Sequence, residues 1–250
     1  IVIRSCPLPG ARAGIDYLVR PDFSKIDGPA IAAALGQSFF SLSLGVGCIL
    51  TYSSYMKKEE HIFHTGIWTA VFDTCFAVLA GFAIMPAVFA SGLEPSAGPS
   101  LVYEILPVIF AKMGVVVPVI FFLALLIAAL TSSISMMEVC VALLIDHAGW
   151  GRRSSTAVVF ALSLVLSCLC SIFPKLFNIC DFATSNILMM TGAFIFAIVT
   201  GWVMSREDAH RQFTNYGTSR KASAVFPAVW FLIRWVAPVM IVVIAITNLL

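Results

Sequence analysis

The chain has 250 residues, of which 60% are hydrophobic and only 11% charged, with a net charge of +2 and a mean hydropathy of +0.99. A soluble domain carries roughly 25% charged residues. Polar side chains are therefore too scarce to cover a water-facing surface, and lipid is the natural solvent. The small positive balance argues nothing about acidic partners, and no nucleic acid is expected as a partner.

Residues 1–29 hold Arg4, Arg12, Arg20 and Lys25, and Ile1 is not followed by a signal-peptide pattern, so a piece of a longer membrane protein is expected. A bilayer core takes about 20 apolar residues per helix. Six segments meet this, at 30–56, 65–90, 117–146, 156–173, 182–204 and 224–250. Their length and density predict an all-α, polytopic membrane protein and exclude a β-barrel, whose strands would run about ten residues with alternating polarity.

The first segment is rich in glycine and hydroxyls at its centre, Ser41-Leu-Ser-Leu-Gly-Val-Gly47. Each glycine there weakens a helix by about 1 kcal/mol relative to alanine. A helix broken at mid-membrane frees carbonyls and amides that must line a cavity or bind something, as at the substrate sites of transporters. The plainer use of such residues is close packing of helices through small side chains. His61 and His64 form an H-x-x-H at the start of the second segment, without further metal ligands nearby. Asp73 lies about one-third of the way across that segment. A carboxylate at such depth costs at least ~2.5 kcal/mol unless paired, hydrated or protonated, so a cation is its natural partner.

Residues 93–116 are long for a helix connection and contain Pro95, Gly98 and Pro99. A lid folding back on the extracytoplasmic side is expected there. The third segment contains Thr131-Ser132-Ser133, hard oxygen ligands suited to a small alkali cation, although such hydroxyls commonly bond the carbonyl one turn back. Glu138 lies toward the end of that segment, where water reaches it, and carries less weight. Asp146 and Asp181 are expected at helix ends on opposite sides of the membrane. The seven cysteines are scattered and match neither a disulfide framework nor a zinc spacing.

The connecting loops give the orientation. One side receives Lys57, Lys58, Arg152, Arg153, Arg206, Arg211, Arg220 and Lys221; the loops opposite hold only Lys112 and Lys175, and residues 1–29, with Arg4, Arg12, Arg20 and Lys25, fall on that opposite side as well, which weakens the asymmetry without reversing it. The richly basic side is the cytoplasm by the positive-inside rule.

Several stretches resemble one known family. Ala34-Leu-Gly-Gln-Ser-Phe-Phe-Ser-Leu-Ser-Leu-Gly-Val-Gly47 with Thr51-Tyr-Ser-Ser-Tyr55 is similar to the sixth helix of the neurotransmitter:sodium symporters. Ala80-Gly-Phe-Ala-Ile-Met-Pro86, Ala129-Leu-Thr-Ser-Ser-Ile-Ser-Met-Met137 and Phe231-Leu-Ile-Arg-Trp-Val-Ala-Pro238 resemble its seventh, eighth and eleventh helices. The motifs follow in order over nearly the whole chain. The resemblance implies part of an inverted-repeat transporter fold, reaching from the end of the fifth helix through the eleventh, in the cytoplasmic membrane. It implies no enzyme, but symport of an amino acid with sodium ions by alternating access. A fragment of this extent is expected to be inactive by itself.

Residue by residue, the resemblance assigns Phe40, Ser41, Ser43, Val46, Ser132 and Met136 to the substrate. Ser41 and Asp73 would belong to one sodium, and the Ala128 carbonyl with the Thr131 and Ser132 hydroxyls to a second. Gln37 and Asp181 would serve an outer gate, Tyr55 and Asp146 an inner one. Asp73 stands where the family usually has Asn. Ala77 stands where animal members place a chloride-binding Ser. A fixed carboxylate can supply the negative charge that chloride otherwise gives, so no chloride requirement is expected. Val46 is small where Phe is common. A proton-coupled or other-substrate carrier of the same fold and a non-transporting membrane scaffold are the alternative readings.

Overall fold

A computed structural model of the chain describes residues 10–20, 22–57, 60–90, 92, 106–111 and 114–249. Apart from turns, every element among the described residues is helical. In chain order the α-helices are α1 (Ala11–Val19), α2 (Gly28–Ser41), α3 (Cys48–Ser54), α4 (Ile62–Ala90), α5 (Leu106–Ala111), α6 (Val116–Ala148), α7 (Arg152–Ile172), α8 (Pro174–Phe182), α9 (Met189–Ile198), α10 (Arg206–Phe213), α11 (Arg220–Phe231) and α12 (Ala237–Leu249). Wider π turns join α8 to α9 over Ala183–Leu188 and α11 to α12 over Leu232–Val236, and a third, Val199–Val203, extends α9. Among the described residues, five spans are long and apolar enough to cross a membrane: Ile62–Ala90, Val116–Ala148, Arg152–Ile172, Pro174–Val203 and Arg220–Thr247.

The expected break in the first segment is present as the gap between α2 and α3. Of the lid expected at 93–116, residues 93–105, 112 and 113 lie outside the described residues; α5 falls within it. The segment expected at 182–204 begins eight residues earlier, at Pro174. Phe173 is held extended, as a residue before proline prefers, and the fixed φ of Pro174 then starts a new helix without a loop. Asp181 consequently lies inside the continuous span Pro174–Val203, not at a helix end as its sequence context suggested.

The chain divides into two compact units, Ile1–Ile26 with Ala70–Ser132, and Asp27–Thr69 with Ser133–Leu250. The first is closed by Ala87, Val88, Leu106, Ile109 and Phe110, with Phe121 and Phe122 set edge-on to Phe110 at 5.1 and 6.4 Å. In it α1 lies against α4, where Gly14 allows backbone contact: a Cβ there would stand 2.6 Å from the Met85 carbonyl oxygen. The second unit has a core of Met190, Ala193, Ile241 and Ile244, against which Leu35 and Phe39 of α2 pack. A smaller cluster, Ala209, Phe226 and Trp230, fastens the short α10 to α11. α10 starts at Ser205-Arg-Glu-Asp208, a capping pattern that the sequence analysis did not take up. The Ser205 hydroxyl accepts from the Asp208 amide at 3.1 Å.

Candidate functional site

The break in the second unit is built by local chemistry. At the end of α2 the Ser43 amide donates to the Phe40 carbonyl at 3.0 Å and the Leu44 amide to the Phe39 carbonyl at 2.9 Å. This pair of bonds is the Schellman closure, which needs a left-handed residue just past the helix. Ser43 fills that place with φ 51°, where glycine is the usual occupant. Gly45 and Gly47 follow with φ 88° and 94°, and Gly47 precedes the first turn of α3. Three left-handed residues in five positions make it impossible for the helix to run through. Both sequence-level readings of the glycines hold together. Gly45 breaks the helix and also packs: a Cβ on it would lie 2.0 Å from the Met189 carbonyl oxygen, and one on Gly192 would lie 2.1 Å from the Gly45 carbonyl oxygen.

Above the break, α2 and the α8–α9 region enclose a cavity of about 390 Å³ lined by Gln37, Phe40, Asp181, Ser185, Asn186 and Met189, among others. Gln37 and Phe40 share a helix face at a spacing of three, and Asp181, Ser185 and Met189 do so at spacings of four. Three residues singled out from the sequence thus meet at one cavity. Phe40 is half exposed there and Asp181 is exposed. Ser185 and Asn186 were not anticipated. They fall in the π stretch Ala183–Leu188, whose extra residue per turn re-aims side chains, and nothing in their spacing announces it. Val46 is half-buried within the break, and Met136 is exposed on α6.

In the first unit the Thr131 hydroxyl donates to the Ala128 carbonyl at 2.9 Å. Two oxygens named as cation ligands therefore lie side by side on α6, in the back-bonded arrangement common to membrane-helix hydroxyls. Ser132 is the next residue and is exposed, and Asp73 is half-buried on α4. Ser41, at the end of α2, is exposed and belongs to the second unit.

At the other end of the second unit, Glu138 is the centre of a polar cluster. Tyr55 donates its phenol proton to Glu138 Oε1 at 2.8 Å, and Arg152 Nη2 reaches both carboxylate oxygens at 2.9 and 3.0 Å. The Glu138 side chain is 16% exposed and that of Arg152 is 64% exposed. One turn before Tyr55, Tyr52 and Ser135 share a hydrogen bond of 2.5 Å, so α3 is tied to α6 at two successive levels. Sequence reasoning gave Tyr55 a gating role but passed over Glu138. The signal available was a carboxylate late in an apolar helix with an arginine just beyond the following turn. Asp146 is exposed in the last turn of α6, two residues before its end.

The family model described as the sodium:neurotransmitter symporter family matches residues 1–250. A sodium-dependent transporter of Haemophilus influenzae is 40% identical over 100% of this chain, which spans 56% of that protein. A sodium-dependent transporter of Bacillus subtilis is 34% identical, over 98% of this chain and 56% of its own length. The chain thus covers about half the length of these relatives. The solved structure of MhsT in complex with L-phenylalanine superposes with a TM-score of 0.82 at 34% identity, covering 99% of this chain and 58% of that one.

Proposed function

The chain belongs to the sodium:neurotransmitter symporter family, and from that premise we propose that it forms part of a carrier that brings an amino acid across the cytoplasmic membrane, driven by sodium and cycling by alternating access. The observation that carries this reading is the break between α2 and α3. A chain in lipid has no reason to leave a backbone unwound at mid-span unless the freed groups serve a cavity or a ligand. The cavity lined by Gln37, Phe40 and Asp181 supports an outer vestibule beside that break.

Phe40, Ser41, Ser43, Val46, Ser132 and Met136 are proposed to hold the substrate. The bound phenylalanine of the MhsT structure makes a large apolar amino acid the first substrate to try. Val46, which the family resemblance sets where Phe is common, would leave room for a larger side chain. Ala128, Thr131 and Ser132 would supply one sodium with hard oxygens. The Thr131 hydroxyl needs only to rotate its proton off the Ala128 carbonyl for both to present lone pairs. Ser41 and Asp73 would serve the other sodium, an assignment that rests on the motif match. Gln37 and Asp181 would close the outer side, Tyr55 and Asp146 the inner. Coupling is then a matter of differential affinity: each sodium shifts the gate equilibrium only as far as it binds one state better than the other.

The test is uptake of radiolabelled apolar amino acids, L-phenylalanine first, by vesicles holding the full-length transporter with and without an inward sodium gradient. Uptake that collapses when potassium replaces sodium supports the reading. Uptake indifferent to sodium but driven by a proton gradient would transfer it to a proton-coupled carrier of the same fold, and no uptake under either gradient would favour a scaffold. In sodium-replete, chloride-free medium, uptake is expected to stay undiminished, because the Asp73 carboxylate supplies the compensating negative charge. A steep loss would show that Asp73 does not replace the anion.

A further inference from the structure

Within the second unit, Trp202 and Arg234 meet where two π stretches, Val199–Val203 and Leu232–Val236, pack together. Gly201 permits the meeting, since a Cβ on it would stand 2.9 Å from the Arg234 Cα. Trp202 Nε1 donates to the Arg234 carbonyl at 3.1 Å. This bond fixes the indole as a platform, and the Arg234 guanidinium carbon lies 4.6 Å from its ring centroid. Trp235 lies beside Trp202, its centroid 6.0 Å from the same carbon, and the two indoles are set edge to face at 4.9 Å. The cation is thus held over two π faces.

Among the described residues this cation has no anionic partner. The Arg234 Nε is buried and donates to nothing, and the ion pairs found among the described residues do not include Arg234. The residue belongs to the span Arg220–Thr247, whose most apolar 18 residues have a mean hydropathy of 2.4. A guanidinium cannot shed its proton to escape a low-dielectric setting. Charges in such a segment therefore seek a partner at the membrane interface or inside the protein.

The depth of Arg234 selects between those two. The early turns of α11 do not face hydrocarbon throughout: Ala222, Phe226 and Trp230 are buried, and the last two pack on the polar helix α10. α10 begins four residues after Trp202. Trp202 is the last residue but one of the span Pro174–Val203, so it and the Arg234 bonded to it lie at the end of that span from which the chain runs on to Arg206 and Arg211. Trp202 and Trp235 are 49% and 51% exposed, as aromatic side chains of an interfacial belt are.

We propose that Arg234, framed by Trp202 and Trp235, binds the phosphate of an anionic lipid in the cytoplasmic leaflet. The guanidinium presents a planar pair of N–H donors that matches two phosphate oxygens. The indoles hold that fork in place and shield its far edge. A lipid with a net negative charge compensates the arginine, whereas a zwitterionic one brings a second cation that needs a partner of its own. The inference requires the membrane-spanning reading but not sodium coupling, so its failure would leave the transport reading untouched.

The experiment is native mass spectrometry of the full-length transporter in detergent, titrated with phosphatidylglycerol, phosphatidylcholine or sodium phosphate. One phosphatidylglycerol should be retained in preference to phosphatidylcholine. In Arg234→Gln its affinity should fall about fivefold, the effect of one basic residue at a membrane surface, while Arg206→Gln keeps it. If Arg234→Gln does not fold, Trp235→Leu serves in its place and should weaken phosphatidylglycerol without altering the charge. Equal retention of the two lipids, or full phosphatidylglycerol binding in Arg234→Gln, would overturn the proposal and leave a carboxylate from elsewhere in the transporter as the partner. Displacement of the lipid by millimolar phosphate would also overturn it, in favour of a free-anion site.

Discussion

Gly192→Ala is expected to abolish transport and to lower thermal stability, although alanine is the better helix former. At an ordinary position inside a helix this change would stabilise by about 1 kcal/mol. Here the added methyl would stand 2.1 Å from the Gly45 carbonyl oxygen, and the clash is with backbone, which has no rotamer to turn away. Forcing extra volume into such a contact costs about 1–3 kcal/mol, which outweighs the propensity gain and reverses the sign. The melting temperature should fall by several degrees. Uptake should drop about a hundredfold, because a displacement of 1 Å at the break carries Ser41 and Ser43 with it.

Gly45→Ala adds the strain of a left-handed backbone at φ 88° to its own clash with the Met189 carbonyl. Since both substitutions separate the same two backbones, the double variant should lose less stability than the sum of the singles. The measurements are melting temperature by intrinsic fluorescence in detergent and uptake in vesicles. A Gly192→Ala protein as stable and active as the parent would mean that the break is not held against α9.

Glu138→Ala is expected to cost about tenfold or more in uptake through the inner gate and not through substrate contact. The carboxylate joins Tyr55, at the end of α3, to Arg152, at the start of α7. Without it neither partner keeps that acceptor, and the hold of α3 on α6 falls back on Ser135, which meets Tyr52 through its hydroxyl and Cys48 through its carbonyl. The equilibrium should move toward states open to the cytoplasm. Cys48, buried at the start of α3, reports this directly. Its modification by a polar maleimide added from the cytoplasmic side should quicken in Glu138→Ala. Arg152→Gln should show the same trend more weakly, because its side chain is mostly solvated and the phenol bond survives. Raised salt should shrink the Arg152 contribution further. Unchanged Cys48 labelling and unchanged uptake in Glu138→Ala would reduce the cluster to surface decoration.

Much of the candidate site was legible one residue at a time. Phe40, Gln37 and Asp181 were marked by motif and meet at one cavity. Asp181 was nonetheless assigned to a helix end, because the apolar run alone does not show that Pro174 restarts the helix eight residues upstream. Glu138 was discounted because a carboxylate near water looks solvated until its partners are seen. The fork of Arg152 and the phenol of Tyr55 come from chain positions 14 and 83 residues away.

The division follows from physics. Composition, span length and the Ser41–Gly47 break are local properties: they depend on transfer into lipid and on backbone freedom, which each residue carries with it. The sequence by itself therefore determined that this is a helical membrane protein with an interrupted helix, and its ordered motifs pointed to the family. Which faces touch is another matter. In water an amphipathic stripe announces the buried side of a helix, but in lipid both sides are apolar and the stripe disappears. The Gly45–Gly192 contact, the Glu138 cluster and the Trp202–Arg234 pair were decided only by the tertiary structure, where small residues let backbones approach and scattered polar groups find one another.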